Sequence, residues 1–216
     1  MNVLVAGGHG KIAMRLLRLL AERGDKARGM IRKPEQAADL EPIGAEPVIC
    51  DIEAVDDISE HVADSDAVVF AAGAGPGSGP ERKRTVDLGG ALKLIAACEA
   101  TGVARYLMIS AMGVDRPGLY GPEMKPYADA KREADDALRG SGLEYTIVRP
   151  GGLSDDPGTG RITVGTDLDR GQVSRDDVAA TLVAVLDEPR TSGLTFDLLN
   201  GETEIPAAIA QLIPRS

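Results

Sequence analysis

The chain opens with Asn2-Val3-Leu4-Val5-Ala6 and then breaks into Gly7-Gly8-His9-Gly10-Lys11-Ile12-Ala13. A short apolar run, a glycine cluster and then an amphipathic pattern (Met14, Leu16, Leu17, Leu19, Leu20) spell strand, tight turn and helix N-terminus. Such a turn brings backbone N–H groups and the positive end of a helix dipole to a pyrophosphate with no Cβ atoms in the way. The spacing Gly7-x-x-Gly10-x-x-Ala13 departs from G-x-G-x-x-G, and glycine also serves tight turns for conformational reasons alone. Position favours nucleotide binding, because the turn follows a buried-type strand and starts a long helix. Gly7, His9, Gly10, Lys11 and Ile12 are the expected contacts, with His9 a partly exposed loop residue rather than a catalytic one.

Strand and helix patterns then alternate to the end. Strands are expected at 2–6, 27–31, 47–50, 67–71, 106–110, 145–149 and 195–199, and helices at 11–23, 34–40, 55–61, 80–101, 127–140, 176–187 and 206–212. Runs such as Val3-Leu4-Val5, Ala67-Val68-Val69-Phe70-Ala71 and Leu107-Met108-Ile109 are apolar throughout, as strands covered by helices on both faces require. The expectation is an α/β fold, a doubly wound parallel sheet, as a single domain over residues 1–216 with a small C-terminal substrate-side portion. Two glycine-rich stretches, 72–79 and 151–160, follow strands and are read as irregular loops bordering the ligand crevice; surface linkers are the alternative.

A net charge of −10 argues against nucleic acid, whose phosphates demand a basic surface. No stretch approaches the roughly 20 apolar residues of a membrane span. The first strand belongs to a core and not to a cleavable signal. Cys50 and Cys98 stand in apolar segments without a C-x-x-C pattern, which fits reduced, inert thiols and a cytoplasmic location.

After the second strand comes Ile31-Arg32-Lys33-Pro34, where an NAD site usually has an acid for the ribose 2′-OH. Arg32 can grip a 2′-phosphate with paired N–H donors, and Lys33 adds a point charge. In so acidic a chain this pair favours NADP over NAD, against the alternative of a solvated basic pair. Asp51 and Ile52, ending the third strand, are placed for the adenine; Asp51 could equally cap the segment that follows.

Tyr127 and Lys131 stand four apart and share a helix face, so the ammonium can stabilise a phenolate. A phenol of lowered pKa is a proton donor to a carbonyl that receives hydride. The pair begins the helix after the fifth strand, which ends in Ser110, a hydroxyl placed to orient a carbonyl. An ordinary surface Tyr/Lys pair is the alternative.

Together these residues resemble the short-chain dehydrogenase/reductase superfamily, in its atypical branch of small NAD(P)-binding Rossmann proteins. The likeness covers nearly the whole chain. It is carried by the Gly7/Gly10/Ala13 turn, Arg32, Asp51-Ile52, Ala71-Ala72-Gly73, Ser110, Tyr127/Lys131, Val148-Arg149-Pro150-Gly151-Gly152-Leu153 and the later Val173–Ala179 segment. The resemblance implies that Ala72 and Gly73 line the adenine-ribose path. It also implies that Ser110, Tyr127 and Lys131 form the catalytic group, with Lys131 also on the nicotinamide ribose. Pro150, Gly151, Gly152 and Leu153 would border the nicotinamide. Ala13 replaces the usual third glycine, and the short C-terminal part leaves no sizeable sugar-nucleotide domain.

The expected activity is hydride transfer between NADP(H) and a small carbonyl or alcohol substrate, with Tyr127 as acid/base. Two other readings stay open. One is a non-catalytic NADP sensor resembling the regulator relatives, for which the acidic surface would suit a protein partner. The other is an NAD-dependent epimerase or dehydratase, disfavoured by Arg32.

Overall fold

The structure, a computed structural model, describes residues 1–75, 77–116 and 118–214. Its strands are β1 (Asn2–Ala6), β2 (Lys26–Ile31), β3 (Glu46–Ile49), β4 (Ala67–Phe70), β5 (Arg105–Ile109), β6 (Glu144–Pro150), β7 (Gly152–Ser154), β8 (Arg161–Gly165), β9 (Gln172–Ser174), β10 (Leu194–Asn200) and β11 (Thr203–Glu204). The helices are α1 (Lys11–Glu22), α2 (Ala37–Leu40), α3 (Ser59–Val62), α4 (Pro80–Arg82), α5 (Ala91–Thr101), α6 (Lys125–Arg139), α7 (Arg175–Asp187) and α8 (Ile205–Gln211).

The main sheet runs β11-β8-β10-β6-β5-β4-β1-β2-β3. Pairing is parallel from β3 across to β10, while β8 and β11 add an antiparallel edge. The chain winds outward from β1 to β3, then returns to β4 on the other side of β1. This is the doubly wound Rossmann arrangement, and its topological switch point lies between the carboxyl ends of β1 and β4.

Alternation along the strands builds two cores. Val3, Val5, Val69 and Leu107 face α1 and α7, meeting Leu16, Leu17 and Leu20 from one helix and Val178, Leu182 and Val185 from the other. Leu4, Val68, Phe70, Tyr106 and Met108 face the opposite way, onto Leu94 and Ile95 of α5 and Ala130, Ala134 and Leu138 of α6. Both faces of the central strands are dry, which explains why their sequences lack a polar alternation.

Three expectations change. The 151–160 stretch is not wholly irregular: Gly152–Ser154 forms a separate two-stranded parallel sheet with Gln172–Ser174. The helix expected over 80–101 is continuous but contains a wide π segment, Lys83–Gly90, in which the side chain of Asp87 is turned into the protein. The third expected helix shrinks to the single turn Ser59–Val62, because the preceding backbone folds onto Asp51, whose carbonyl accepts from Ala54 and Val55 N–H. Among the described residues no helix is long and apolar enough to cross a membrane.

Candidate functional site

The glycine turn sits at the switch point. Gly7 adopts φ +82°, and a Cβ there would lie 2.6 Å from the Ala72 Cα, so β1 and the chain leaving β4 touch backbone to backbone. Gly10 N–H donates to the Gly7 carbonyl at 2.8 Å and closes the turn. As N-cap of α1, Gly10 offers no side chain to the first-turn N–H groups, and no acid stands in that turn. Those donors, including the N–H groups of Lys11 and Ile12, therefore have no side-chain cap, the arrangement by which a helix N-terminus can receive an anion.

In front of the turn is a cavity of about 250 Å³ lined by Gly7, His9, Gly10, Arg32, Asp51, Ile52, Ala72 and Gly73, joined by Glu53 and Arg82. It is smaller than the roughly 300–1,000 Å³ of a drug-sized ligand site, and so suits one end of a dinucleotide. Arg32 makes no ion pair among the described residues. Lys33 stands outside the lining, its ammonium 3.6 Å from Glu35. His9 Nε2 is 2.7 Å from the Asp39 carboxylate, which fixes the ring to α2. Asp51 Oδ1 accepts from Glu53 N–H at 3.0 Å and holds its loop in a turn.

Lys11 and residues 150–153 border a neighbouring region. Lys11 Nζ reaches Asp155 at 2.5 Å, and Arg175 holds the same carboxylate at 2.9 Å. This ties the segment after β7 to the start of α1. Gly151 N–H donates to the Leu198 carbonyl and Gly152 N–H to that of Gly171; Pro150 is buried, and Leu153 is exposed.

Ser110 follows β5 directly, and Tyr127 and Lys131 stand on α6; all three lie outside the cavity lining. Lys131 is buried on α6 and donates to the carbonyl of Ile109, the residue before Ser110, at 3.1 Å. Ser110 Oγ is buried without a well-formed hydrogen bond. It lies beside Asp135, whose carboxyl is pushed up by burial despite the Arg149 guanidinium 2.9 Å away. Tyr127 packs edge-on against Tyr120, with Lys83 Nζ 5.4 Å above its ring.

The expectation that Lys131 lowers the Tyr127 pKa is corrected. Burial first, then the charge of Asp87 and the neighbours Tyr120 and Asp135, push the phenol well above its usual value. The Lys131 ammonium is turned to Asp87, 3.5 Å away. Asp87 escaped the sequence reading. It lies in the π segment, and its other oxygen accepts from Ala74 N–H at 3.1 Å. Because Ala74 lines the cavity, Asp87 physically joins the cavity wall to Lys131. The one local hint is an acid set between Val86 and Leu88 on a helix that must bury one face. Burial also raises both thiols, Cys98 to about 12. Among the described residues no group of His, Cys, Asp or Glu is placed to hold a metal ion.

A glycine turn with free helix N–H groups, a lined crevice at the switch point and a polar group beyond β5 define a nucleotide-binding Rossmann protein. The chain belongs to the NAD(P)H-binding family, whose profile matches residues 7–189, and it fits the atypical short-chain dehydrogenase/reductase branch. It is 42% identical to the uncharacterized sugar epimerase YhfK of Bacillus subtilis, over 98% of this chain and 100% of that protein. A Bacillus halodurans structure, described as a candidate NAD-dependent epimerase/dehydratase, superposes with a TM-score of 0.93 at 41% identity, over 98% of this chain and 99% of its own. The oxidoreductase ylbE of Lactococcus lactis is similar at a TM-score of 0.88 and 27% identity, covering 98% and 96%.

Proposed function

We propose that the chain is an NADP(H)-dependent oxidoreductase that reduces a small carbonyl compound. The observation that carries this reading is the Asp87 link, which ties Lys131, itself bonded to the carbonyl before Ser110, to the wall of the cavity. Arg32, with no carboxylate partner among the described residues, takes the 2′-phosphate; the first-turn N–H groups of α1 take the pyrophosphate. Asp51 and Ile52 flank the adenine, and Pro150, Gly151, Gly152 and Leu153 border the nicotinamide, which supplies the hydride when bound.

The chain's own residues handle the oxygen of the substrate. Ser110 Oγ hydrogen-bonds the carbonyl oxygen. Tyr127 Oη gives its proton to that oxygen as the carbon is reduced, so a carbonyl becomes an alcohol. With its pKa raised, the phenol is protonated at neutral pH, as reduction requires, although it is a weaker acid than one tuned toward that pH. Lys131, neutralised by Asp87, holds the ribose and the β5 terminus.

NADPH consumption against a panel of small aldehydes, ketones and quinones tests this reading. Tyr127→Phe should abolish turnover with NADPH affinity nearly intact, and unchanged turnover rejects the mechanism. Arg32→Ala should weaken NADPH roughly ten- to a hundredfold with little loss for NADH; equal losses reject the phosphate assignment. A second reading, a protein that binds cofactor without turnover, is favoured by the commitment of the Lys131 charge to Asp87 rather than to Tyr127. Binding of NADPH with no oxidation across the panel would establish it. The names of the two Bacillus relatives support a third, an NAD-dependent epimerase, for which preference for NADH over NADPH is the mark.

A further inference from the structure

In the same cavity as Arg32 stands a carboxylate with two side-chain partners, Glu53. Arg82 donates to Glu53 Oε2 at 2.7 Å, and Thr85 Oγ1 donates to Oε1 at 2.7 Å. The Arg82 hydrogen bond above all, then Thr85 and the charges of Arg82 and Arg32, hold this carboxyl below its usual range. Arg32, Glu53 and Arg82 all line the one cavity yet come from three places: the end of β2, the loop after β3, and α4. Glu53 is held by one guanidinium, that of Arg82, while Arg32 lines the same cavity without an ion pair among the described residues; a phosphate monoester is an anion that two such groups can share.

We propose that Glu53 stands in for the 2′-phosphate of the cofactor and that Arg82 is a second residue selecting that phosphate. The proposal rests on the reading of Arg32 given above. Without cofactor, Glu53 holds Arg82. With a 2′-phosphate present, Arg82 leaves the carboxylate and grips the phosphate together with Arg32. The exchange is favourable because a phosphate monoester carries about −1.5 to −2 at neutral pH, against a single charge on Glu53. A ribose 2′-hydroxyl has no charge with which to displace the carboxylate, so an unphosphorylated cofactor leaves Arg82 where it is. Glu53 thereby sharpens the choice between the two cofactors while lowering affinity for the one chosen.

The test is calorimetric titration of 2′,5′-ADP and 5′-AMP, which differ only in the 2′-phosphate, into the full chain and its Glu53→Gln, Arg82→Gln and Arg32→Gln variants. Glu53→Gln should tighten 2′,5′-ADP about tenfold and Arg82→Gln should weaken it about tenfold, with 5′-AMP within about twofold throughout. The 5′-AMP titration doubles as a check that each variant folds, and either variant alone suffices. The proposal is overturned if both variants leave 2′,5′-ADP unchanged, or if both ligands shift together, while Arg32→Gln still weakens 2′,5′-ADP selectively. Should Arg32→Gln leave both ligands unchanged, the assignment of Arg32 falls first and the role of Arg82 falls with it.

Discussion

Asp87 and Lys131 form an ion pair, 3.5 Å between Oδ1 and Nζ, with both side chains almost wholly out of water. The ammonium also lies 5.5 Å over the Phe70 ring, at the end of β4. A buried charge is costly to strand, and removing one partner of such a pair usually costs about 3–5 kcal/mol. Asp87→Leu should therefore destabilise the protein by about that amount in urea unfolding followed by circular dichroism. Adding Lys131→Met should recover much of the loss, because the stranded charge goes with it. A double variant no more stable than the single one would show that the loss is packing and not charge.

Gly7 and Gly24 both hold positive φ, +82° and +88°, but only Gly7 has a backbone against it. Alanine at position 24 meets nothing within 4 Å, so Gly24→Ala pays only the left-handed penalty, about 1 kcal/mol. Alanine at position 7 must also push the turn off Ala72. Gly7→Ala should cost about 3 kcal/mol or more and remove binding of nicotinamide dinucleotides, since the same displacement opens the cavity. Thermal unfolding and a cofactor titration of the two variants check this. Equal destabilisation by both would show that the contact with Ala72 yields freely.

What the sequence revealed was local. Strands β1, β4 and β5 were legible because burial on both faces writes itself as an unbroken apolar run. Residues at strand ends were legible too: Arg32, Asp51, Ile52, Ala72 and Gly73 each follow a readable strand, and the sheet brings those ends together. Pairings between distant segments were not. β7 and β9 are three residues each, and β7 is largely exposed, too short for any alternation to register. Asp87 and Glu53 take their meaning from partners on other elements. The four-residue spacing of Tyr127 and Lys131 correctly implies a shared helix face, yet it cannot tell where a long flexible side chain turns its charge. Here that charge goes to Asp87.

The phenol of Tyr127 gives a pH signature. Burial above all, with the negative charge of Asp87, raises its pKa above the usual 10.0. A raised value means that the protonated form persists through neutral and moderately alkaline solution. Carbonyl reduction, which needs that proton, should show no alkaline fall due to Tyr127 up to pH 10. Alcohol oxidation, which needs the phenolate, should still be rising there. Profiles of kcat/KM in the two directions decide it, and an oxidation rate that has already levelled off near pH 8 would contradict the assignment.

Arg105 supplies a prediction about the frame that carries the site. Its guanidinium is buried with four neutral acceptors: the Glu144 carbonyl at 3.0 Å, Thr146 Oγ1 at 2.9 Å, the Val185 carbonyl at 3.0 Å and Thr191 Oγ1 at 2.8 Å. Burial lowers its pKa, with the more distant Glu144 carboxylate opposing. One side chain thus clamps β5 and β6 to the end of α7 and the turn that follows. Hydrogen bonds made by a charged donor contribute about 1.5–3 kcal/mol each, and acceptors left bare indoors cost about 1–3 kcal/mol. Arg105→Ala should destabilise by about 3 kcal/mol or more in urea unfolding. Arg105→Lys should recover only part of this, since a single ammonium cannot span acceptors arranged for a fork. Because Arg105 begins the strand that ends beside Ser110, amide exchange should speed up along β5 in the alanine variant. Protection at Leu107 and Met108 as strong as in wild type would show that the clamp serves the edge alone.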